Sequence, residues 1–107
     1  MSKEFDVKYW KDEGHILVNY DNSDCFILNE YLNPLVNWLN LNRQEIATKG
    51  CVYGGNTNRG ILYVAVNGML MIRTNRDVVF LGYDQTLLLI KWLNEHKEIL
   101  KIHEVWP

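Results

Sequence analysis

A chain of 107 residues in which 48% are apolar has room for one hydrophobic core, so a single domain over residues 1–107 is predicted. The formal net charge of −2 excludes the strongly basic class of nucleic-acid coat proteins. No apolar run approaches the roughly 20 residues that span a bilayer, and residues 1–10 lack the apolar segment of a secretory signal. We therefore expect a soluble, cytoplasmic protein with no membrane contact.

The N-terminal segment has the pattern of a β-hairpin. Apolar and polar residues alternate over residues 5–9 and again over residues 15–20, which is the period of half-buried strands. Residues 11–14 between them end in glycine and predict a turn. The polar cluster at residues 21–24 ends the second strand. Residues 25–28 fit either a third strand or the first turn of a helix.

A first helix is predicted over residues 34–47. Asn33 is a good N-cap, and proline is favoured at the first helical position, which Pro34 would occupy. The sequence allows a break near residues 40–42. Gly50 is the expected C-terminal cap, because glycine readily adopts the left-handed conformation that ends many helices.

The segment of residues 54–60 is rich in glycine and asparagine, and it predicts an exposed, flexible loop. A three-stranded meander follows. Its first turn is the dipeptide Asn67-Gly68, which is a strong signal for a two-residue hairpin turn. The predicted strands of the meander are residues 61–66, 69–73 and 78–81.

A last helix is predicted over residues 85–100, with Asp84 as its N-cap. One apolar stripe runs along it at helical spacing, formed by Leu88, Leu89, Trp92, Leu93, His96 and Leu100. Residues 102–106 complete the chain as a short strand or a packed tail. The fold class is therefore α+β, with an antiparallel sheet, built from the N-terminal hairpin and the meander, packed on one face by two helices.

The sequence offers no recognisable catalytic group. Cys25 and Cys51 are expected to be free, buried thiols, because disulfides are rare inside cells. His15, His96 and His103 are the only histidines, and their spacing to one another and to the cysteines fits no zinc motif. The paired carboxylates fall in turns, where hydrogen bonding to the backbone explains them. We expect no enzymatic activity, no metal and no cofactor.

Charge divides the sequence into two candidate surfaces. Residues 1–40 carry seven acids and three bases, whereas residues 41–80 carry five bases and two acids. Aromatic side chains beside carboxylates suit the capture of a basic protein partner, since charge speeds the encounter and rings anchor the complex. The predicted partner-binding residues are Tyr9, Trp10, Asp12, Glu13, Tyr20, Asp21 and Asp24. The leading hypothesis is a small intracellular binding protein that neutralises a macromolecule, such as a toxin's immunity protein or a phage-encoded inhibitor of a host defence enzyme.

The alternative hypothesis uses the basic segment. Glycines in residues 50–60 would let backbone N–H groups approach a phosphate, although the segment lacks the Gly-Lys-Ser/Thr ending of a P-loop and precedes a strand. The chain would then be a nucleotide- or RNA-binding module. Its predicted ligand-binding residues are Tyr53, Asn56, Asn58, Arg59, Arg73 and Arg76. A third hypothesis is a subunit of a symmetric oligomer, of which a homodimer is the simplest.

Overall fold

A computed structural model describes residues 4–10 and 12–100. Seven antiparallel strands form one sheet in the order β1-β2-β3-β7-β6-β5-β4. The strands are β1 (Phe5–Trp10), β2 (His15–Tyr20), β3 (Ser23–Ile27), β4 (Cys51–Asn56), β5 (Ile61–Val66), β6 (Met69–Thr74) and β7 (Val78–Leu81). The helices are α1 (Asn29–Leu41), α2 (Arg43–Ala47) and α3 (Tyr83–Glu95). The predicted α+β class, with an antiparallel sheet packed against helices, is confirmed. Residues 102–106 and His103 lie outside the described residues.

The hydrophobic core lies between the helices and one face of the sheet. Because side chains in a strand alternate between faces, every second residue of the central strands is buried against the helices. The buried sheet residues include Ile16, Val18, Cys25, Ile27, Tyr63, Ala65, Leu70, Ile72, Val79 and Leu81. The helices contribute Leu32, Leu35, Val36, Leu39, Ile46, Leu89, Ile90 and Leu93.

The predicted hairpin and meander are confirmed. β1 pairs with β2 from Phe5 opposite Tyr20 to Trp10 opposite His15. β5 pairs with β6 around a two-residue turn, in which Asn67 and Gly68 have φ values of 54° and 82°. Two successive positive φ values define the type I′ turn, whose twist matches that of the flanking strands.

The first helix begins five residues before the predicted start. The backbone N–H of Asn29, at the first position of α1, donates to Nδ1 of His15 at 2.9 Å. This tertiary bond supplies a partner at the helix start, and Pro34 consequently lies inside α1. The predicted break is confirmed at Asn42, between α1 and α2. Gly50 is not the left-handed residue after α2, because Lys49 takes that conformation with φ of 60°.

Residues 54–56 of the segment predicted as a loop belong instead to β4, an edge strand paired with β5. Its glycines reflect close packing: a Cβ on Gly54 would collide with the rings of Trp38 and Tyr63. The indole N–H of Trp38 donates to the carbonyl of Tyr53 at 3.0 Å and holds α1 to this strand. Glycine in a strand commonly marks such a close approach. Residues 57–60, a single 3-10 turn that ends at Gly60, separate β4 from β5.

The last helix differs from its prediction at both ends and in one position of its apolar stripe. It begins after Gly82 rather than at an Asp84 cap, and it ends at Glu95. Leu89, Leu93 and Leu100 are buried as predicted, but Leu88 is 49% exposed and Ile90 is buried in addition.

Two further side chains of the predicted stripe lie at its rim. The ring of Trp92 is half-buried and stacks on that of His96, with 4.0 Å between ring centroids. Both rings also approach Tyr9 of β1, at 5.8 Å each. The edge of α3 therefore rests on the first strand of the sheet.

Candidate functional site

The face of the sheet that points away from the helices is uncovered in the part of the chain that the structure describes, and we call it the open face. Its β4–β7 half is almost wholly apolar. The side chains on this half are Cys51, Tyr53, Leu62, Val64, Val66, Met69, Met71, Arg73, Val78 and Phe80. Tyr53 is 71% exposed, and Met69 and Phe80 are each 53% exposed.

These apolar side chains form a continuous row across four strands. Tyr53 lies opposite Val64, Val64 opposite Met71, and Met71 opposite Phe80. Residues directly opposite each other on paired strands have adjacent side chains on the same face. A hollow of about 280 Å³ lies within this surface, lined by side chains from β5, β6 and β7. We call Tyr53, Val64, Met71 and Phe80 the apolar row.

Sequence reasoning missed the apolar row, although the sequence holds a signal for it. The segments 61–66 and 69–72 are apolar at nearly every position rather than at alternate positions. Such runs are typical of strands that are buried on both faces. In the described structure only one face of β5 and β6 is covered, so the outward half of the pattern has no packing partner within the chain.

The structure divides the predicted aromatic group between the two faces of the sheet. Tyr9 lies on the helix face against Trp92, and Tyr20, also on the helix face, is half-buried against the core. Trp10 lies on the open face, where its ring meets the ring of Phe26 edge-on at 5.3 Å. Of the three predicted aromatic anchors, only Trp10 can contact a partner on the open face.

The predicted carboxylates are divided as well. Asp12 and Glu13 occupy the turn before β2, whereas Asp21 occupies the turn after it. A six-residue strand separates these turns by roughly 17–20 Å. Asp24 lies on the open face close to the second turn, opposite Asn19 of β2 and Val78 of β7. Asp12 and Glu13 adjoin Trp10, so these three residues can act together, while Asp21 stands apart.

The predicted basic residues are brought closer together. Arg59, Arg73 and Arg76 lie at the same end of the sheet, in the 3-10 turn, at the end of β6 and in the turn after it. The side chain of Asn56 accepts a hydrogen bond from the backbone N–H of Asn58 at 3.0 Å and so caps the 3-10 turn.

Tyr53 stands apart from these arginines, in the middle of β4 on the open face. A hydrogen bond with the neighbouring Cys51 thiol raises the pKa of its hydroxyl. The structure therefore places Tyr53 on the open face, away from the arginines of the predicted ligand site. The three arginines do lie near one another.

A cleft separates the two halves of the sheet at the end that holds these arginines. β3 and β7 pair only at Asp24 and Val78, supported by bonds from Phe26 N–H to Oδ2 of Asp77 at 3.3 Å and from Phe80 N–H to Oγ of Ser23 at 3.2 Å. Towards the end of β3 and the start of β7 the two strands diverge around a cavity of about 480 Å³. The cleft is lined by Phe26, Leu28, Tyr31, Arg59, Gly60, Thr74, Asn75, Arg76 and Asp77. Nothing local in the sequence signals it, because its walls are about 15 to 50 residues apart in the chain.

The two cysteines differ in environment. Both are free, but only Cys25 is buried, and Cys51 is exposed on β4. The prediction of two buried thiols is therefore wrong for Cys51, because β4 is an edge strand and this residue points to its open face. Burial raises the pKa of the Cys25 thiol from 9.0 to about 12.

This raised pKa predicts a loss of stability in alkali. The folded state holds the thiol proton more tightly than the unfolded state, so stability is retained below pH 9 and falls as the pH rises toward 12. The free energy of unfolding should fall by roughly 1 kcal/mol by pH 10 from this group alone. Urea denaturation between pH 8 and pH 10 measures it, and Cys25→Ala is the control. An equal pH slope in that variant would contradict the assignment.

No protein-family model, curated protein or solved structure matches this chain. None of the described helices has the length and apolar character needed to cross a membrane. Within residues 4–10 and 12–100, no three His, Cys, Asp or Glu side chains are grouped so that they could hold a metal ion.

Proposed function

We propose that this chain is a binding protein that docks a protein partner on the open face and inhibits the partner by covering it. The observation that carries the proposal is the apolar row, which crosses four strands with no helix over it in the described structure. Large contiguous apolar patches are uncommon on monomeric proteins and mark interaction surfaces. Burying such a surface contributes about 25 cal/mol for each Å² removed from water.

The dimensions of the open face suit a stable complex. Seven strands at about 4.8 Å spacing and six residues at about 3.3 Å give a surface of roughly 34 Å by 20 Å. Its area of roughly 700 Å² is close to the ~800 Å² that each partner contributes to a standard interface. A partner that covers the apolar row and Trp10 would therefore use most of the sheet.

The charges on the open face indicate the partner's chemistry. Its β1–β3 half carries Asp6 and Asp24 on the face and Asp12 and Glu13 in the adjoining turn. Complementary charges raise association rates and exclude wrong partners. The partner that fits is a protein with an apolar patch bordered by lysine or arginine. A basic toxin or nuclease has this chemistry, so an immunity protein or a phage-encoded inhibitor is the proposed class.

A second copy of the chain fits the open face less well. Among the described residues, the strand faces carry two acids, Asp6 and Asp24, and two bases, Lys8 and Arg73. The turns at one end of the sheet add three acids, Asp12, Glu13 and Asp77, and two bases, Arg59 and Arg76. Acids therefore exceed bases on the surface that a second copy would present. Like charges brought together at an interface are unfavourable. Sedimentation of the purified chain tests this point, and a dimer that is lost in Phe80→Asp would replace the proposed partner with a second copy.

Charge reversal at one end of the open face tests the partner's chemistry. The partner is first captured on immobilised chain, identified and purified. The double variant Asp12→Lys/Glu13→Lys should then associate at least about ten-fold more slowly at low salt, with little change in dissociation, because exposed charges act mainly on the encounter. The control is Glu45→Lys/Glu95→Lys, which changes the net charge equally at exposed helical positions. Equal slowing by both variants, or by neither, would contradict steering by this end of the open face.

A further inference from the structure

The cleft lies outside the apolar row and has a chemistry of its own. We propose that it binds a nucleotide, with the base against Phe26 and the phosphate between Arg59 and Arg76. Its volume of about 480 Å³ falls within the range of roughly 300–1,000 Å³ that is usual for small-ligand pockets. Neither arginine belongs to the apolar row, although Phe26 lies on the open face beside Trp10.

The backbone positions of the two arginines are fixed by neighbouring side chains. The Tyr31 hydroxyl donates to the carbonyl oxygen of Arg59 at 2.7 Å, which ties the 3-10 turn to α1. Across the cleft, Oγ1 of Thr74 accepts from the N–H groups of Arg76 and Asp77 at 3.3 Å and 3.1 Å. The backbone that carries each guanidinium group is therefore held in place beside the cavity. Such pre-organisation lowers the entropic cost of binding a ligand.

The charge balance of the cleft favours an anion. Asp77 is its one acidic lining residue, and Oδ2 of Asp77 already accepts the N–H of Phe26. Glu30 lies with Arg59 around a neighbouring hollow, but within residues 4–10 and 12–100 neither Arg59 nor Arg76 forms an ion pair. Arginine presents a planar set of donors that matches phosphate oxygens. Both guanidinium groups are thus available to an oxyanion.

The aromatic wall suits a base. Phe26 is half-buried, and the rings of Trp10 and His15 meet it edge-on at 5.3 Å and 5.6 Å. His15 is itself held by the hydrogen bond from Asn29 N–H to its Nδ1. These contacts hold the Phe26 ring in one orientation beside the cleft. Stacking on an aromatic ring accepts any base, so adenine serves as the probe.

Calorimetric titration with AMP, adenosine and inorganic phosphate tests the site. AMP should bind at least about ten-fold more tightly than either fragment, because only AMP engages both the ring and the arginines. Arg76→Gln, in an exposed turn, should weaken AMP binding at least about ten-fold, whereas the control Arg43→Gln on α2 should leave it unchanged. Phe26→Leu should weaken AMP but not inorganic phosphate, with folding checked by its melting temperature.

The same titration distinguishes the source of the nucleotide. A single-stranded hexa-adenylate that binds more tightly than AMP would indicate nucleic acid, and equal or weaker binding would indicate a free nucleotide. The proposal is overturned if inorganic phosphate or adenosine binds as tightly as AMP. It is also overturned if Arg59→Gln and Arg76→Gln both bind AMP as the unmodified chain does.

Discussion

Leu93→Ala is expected to lower the free energy of unfolding by about 2–5 kcal/mol. Leu93 lies on the buried side of α3 and is 1% exposed, so truncation removes buried methyl groups and leaves a cavity in the core. A loss of this size is a large part of the roughly 5–15 kcal/mol by which a typical domain is stable. Urea denaturation monitored by circular dichroism gives the change directly.

Leu88 on the same helix provides the matched control. It is largely exposed, so Leu88→Ala should change the free energy of unfolding by no more than about 0.5 kcal/mol. Equal losses in the two variants would mean that α3 is rotated about its axis relative to the sheet. That result would also place Leu88 in the core. Substitutions at Leu88 could then not serve as controls on an exposed helix position in the binding experiments below.

Phe80→Asp is expected to weaken binding of the captured partner at least about 100-fold, which corresponds to about 2.7 kcal/mol. Phe80 ends the apolar row on β7, next to Met71. The substitution removes a large ring from the interface and places a carboxylate where water is excluded. Because the ring is exposed in the free chain, the fold should remain intact, and the melting temperature verifies this.

The control for this loss is Leu88→Asp, the same charged substitution at an exposed leucine on the helix side. It should bind the partner as the unmodified chain does. Equal binding by Phe80→Asp and the unmodified chain would show that the partner does not use the apolar row. Loss of binding in Leu88→Asp alone would move the interface to the helices.

The elements that were predicted correctly carry local signals. Asn67 and Gly68 take positive φ values cheaply, and this alone fixes the register of β5 against β6. The start of α1 depends instead on His15, fourteen residues earlier. β4 was missed because its glycines suggested a loop. Gly54 is needed there because the Trp38 ring packs against its backbone, and no local pattern indicates that contact. Where local propensity gave the wrong prediction, at the start of α1 and at β4, tertiary contacts determine the observed structure.

The candidate surfaces follow the same division. A strand pattern assigns Tyr9 and Trp10 to opposite faces, so the split of the aromatic residues could have been predicted from their adjacency. The cleft could not have been predicted from the sequence. It depends on the register of β7 against β3, which is set by the single pair Asp24 and Val78. The open face could be predicted from the sequence only in part. Its apolar runs were visible, but only the structure shows that no helix covers them in the described residues.

Oxidation of Met69 in the complex tests the central claim most directly. Met69 lies on the open face beside Val66 and is accessible in the free chain, and the methionine of a Leu88→Met variant serves as an internal reference on the helix side. Hydrogen peroxide oxidation read by mass spectrometry should slow at least about ten-fold at Met69 when the partner is bound, because a buried thioether is shielded from the oxidant. The reference methionine should be oxidised at its free rate. Oxidation of Met69 at the same rate in the free chain and in the complex would contradict docking on the open face.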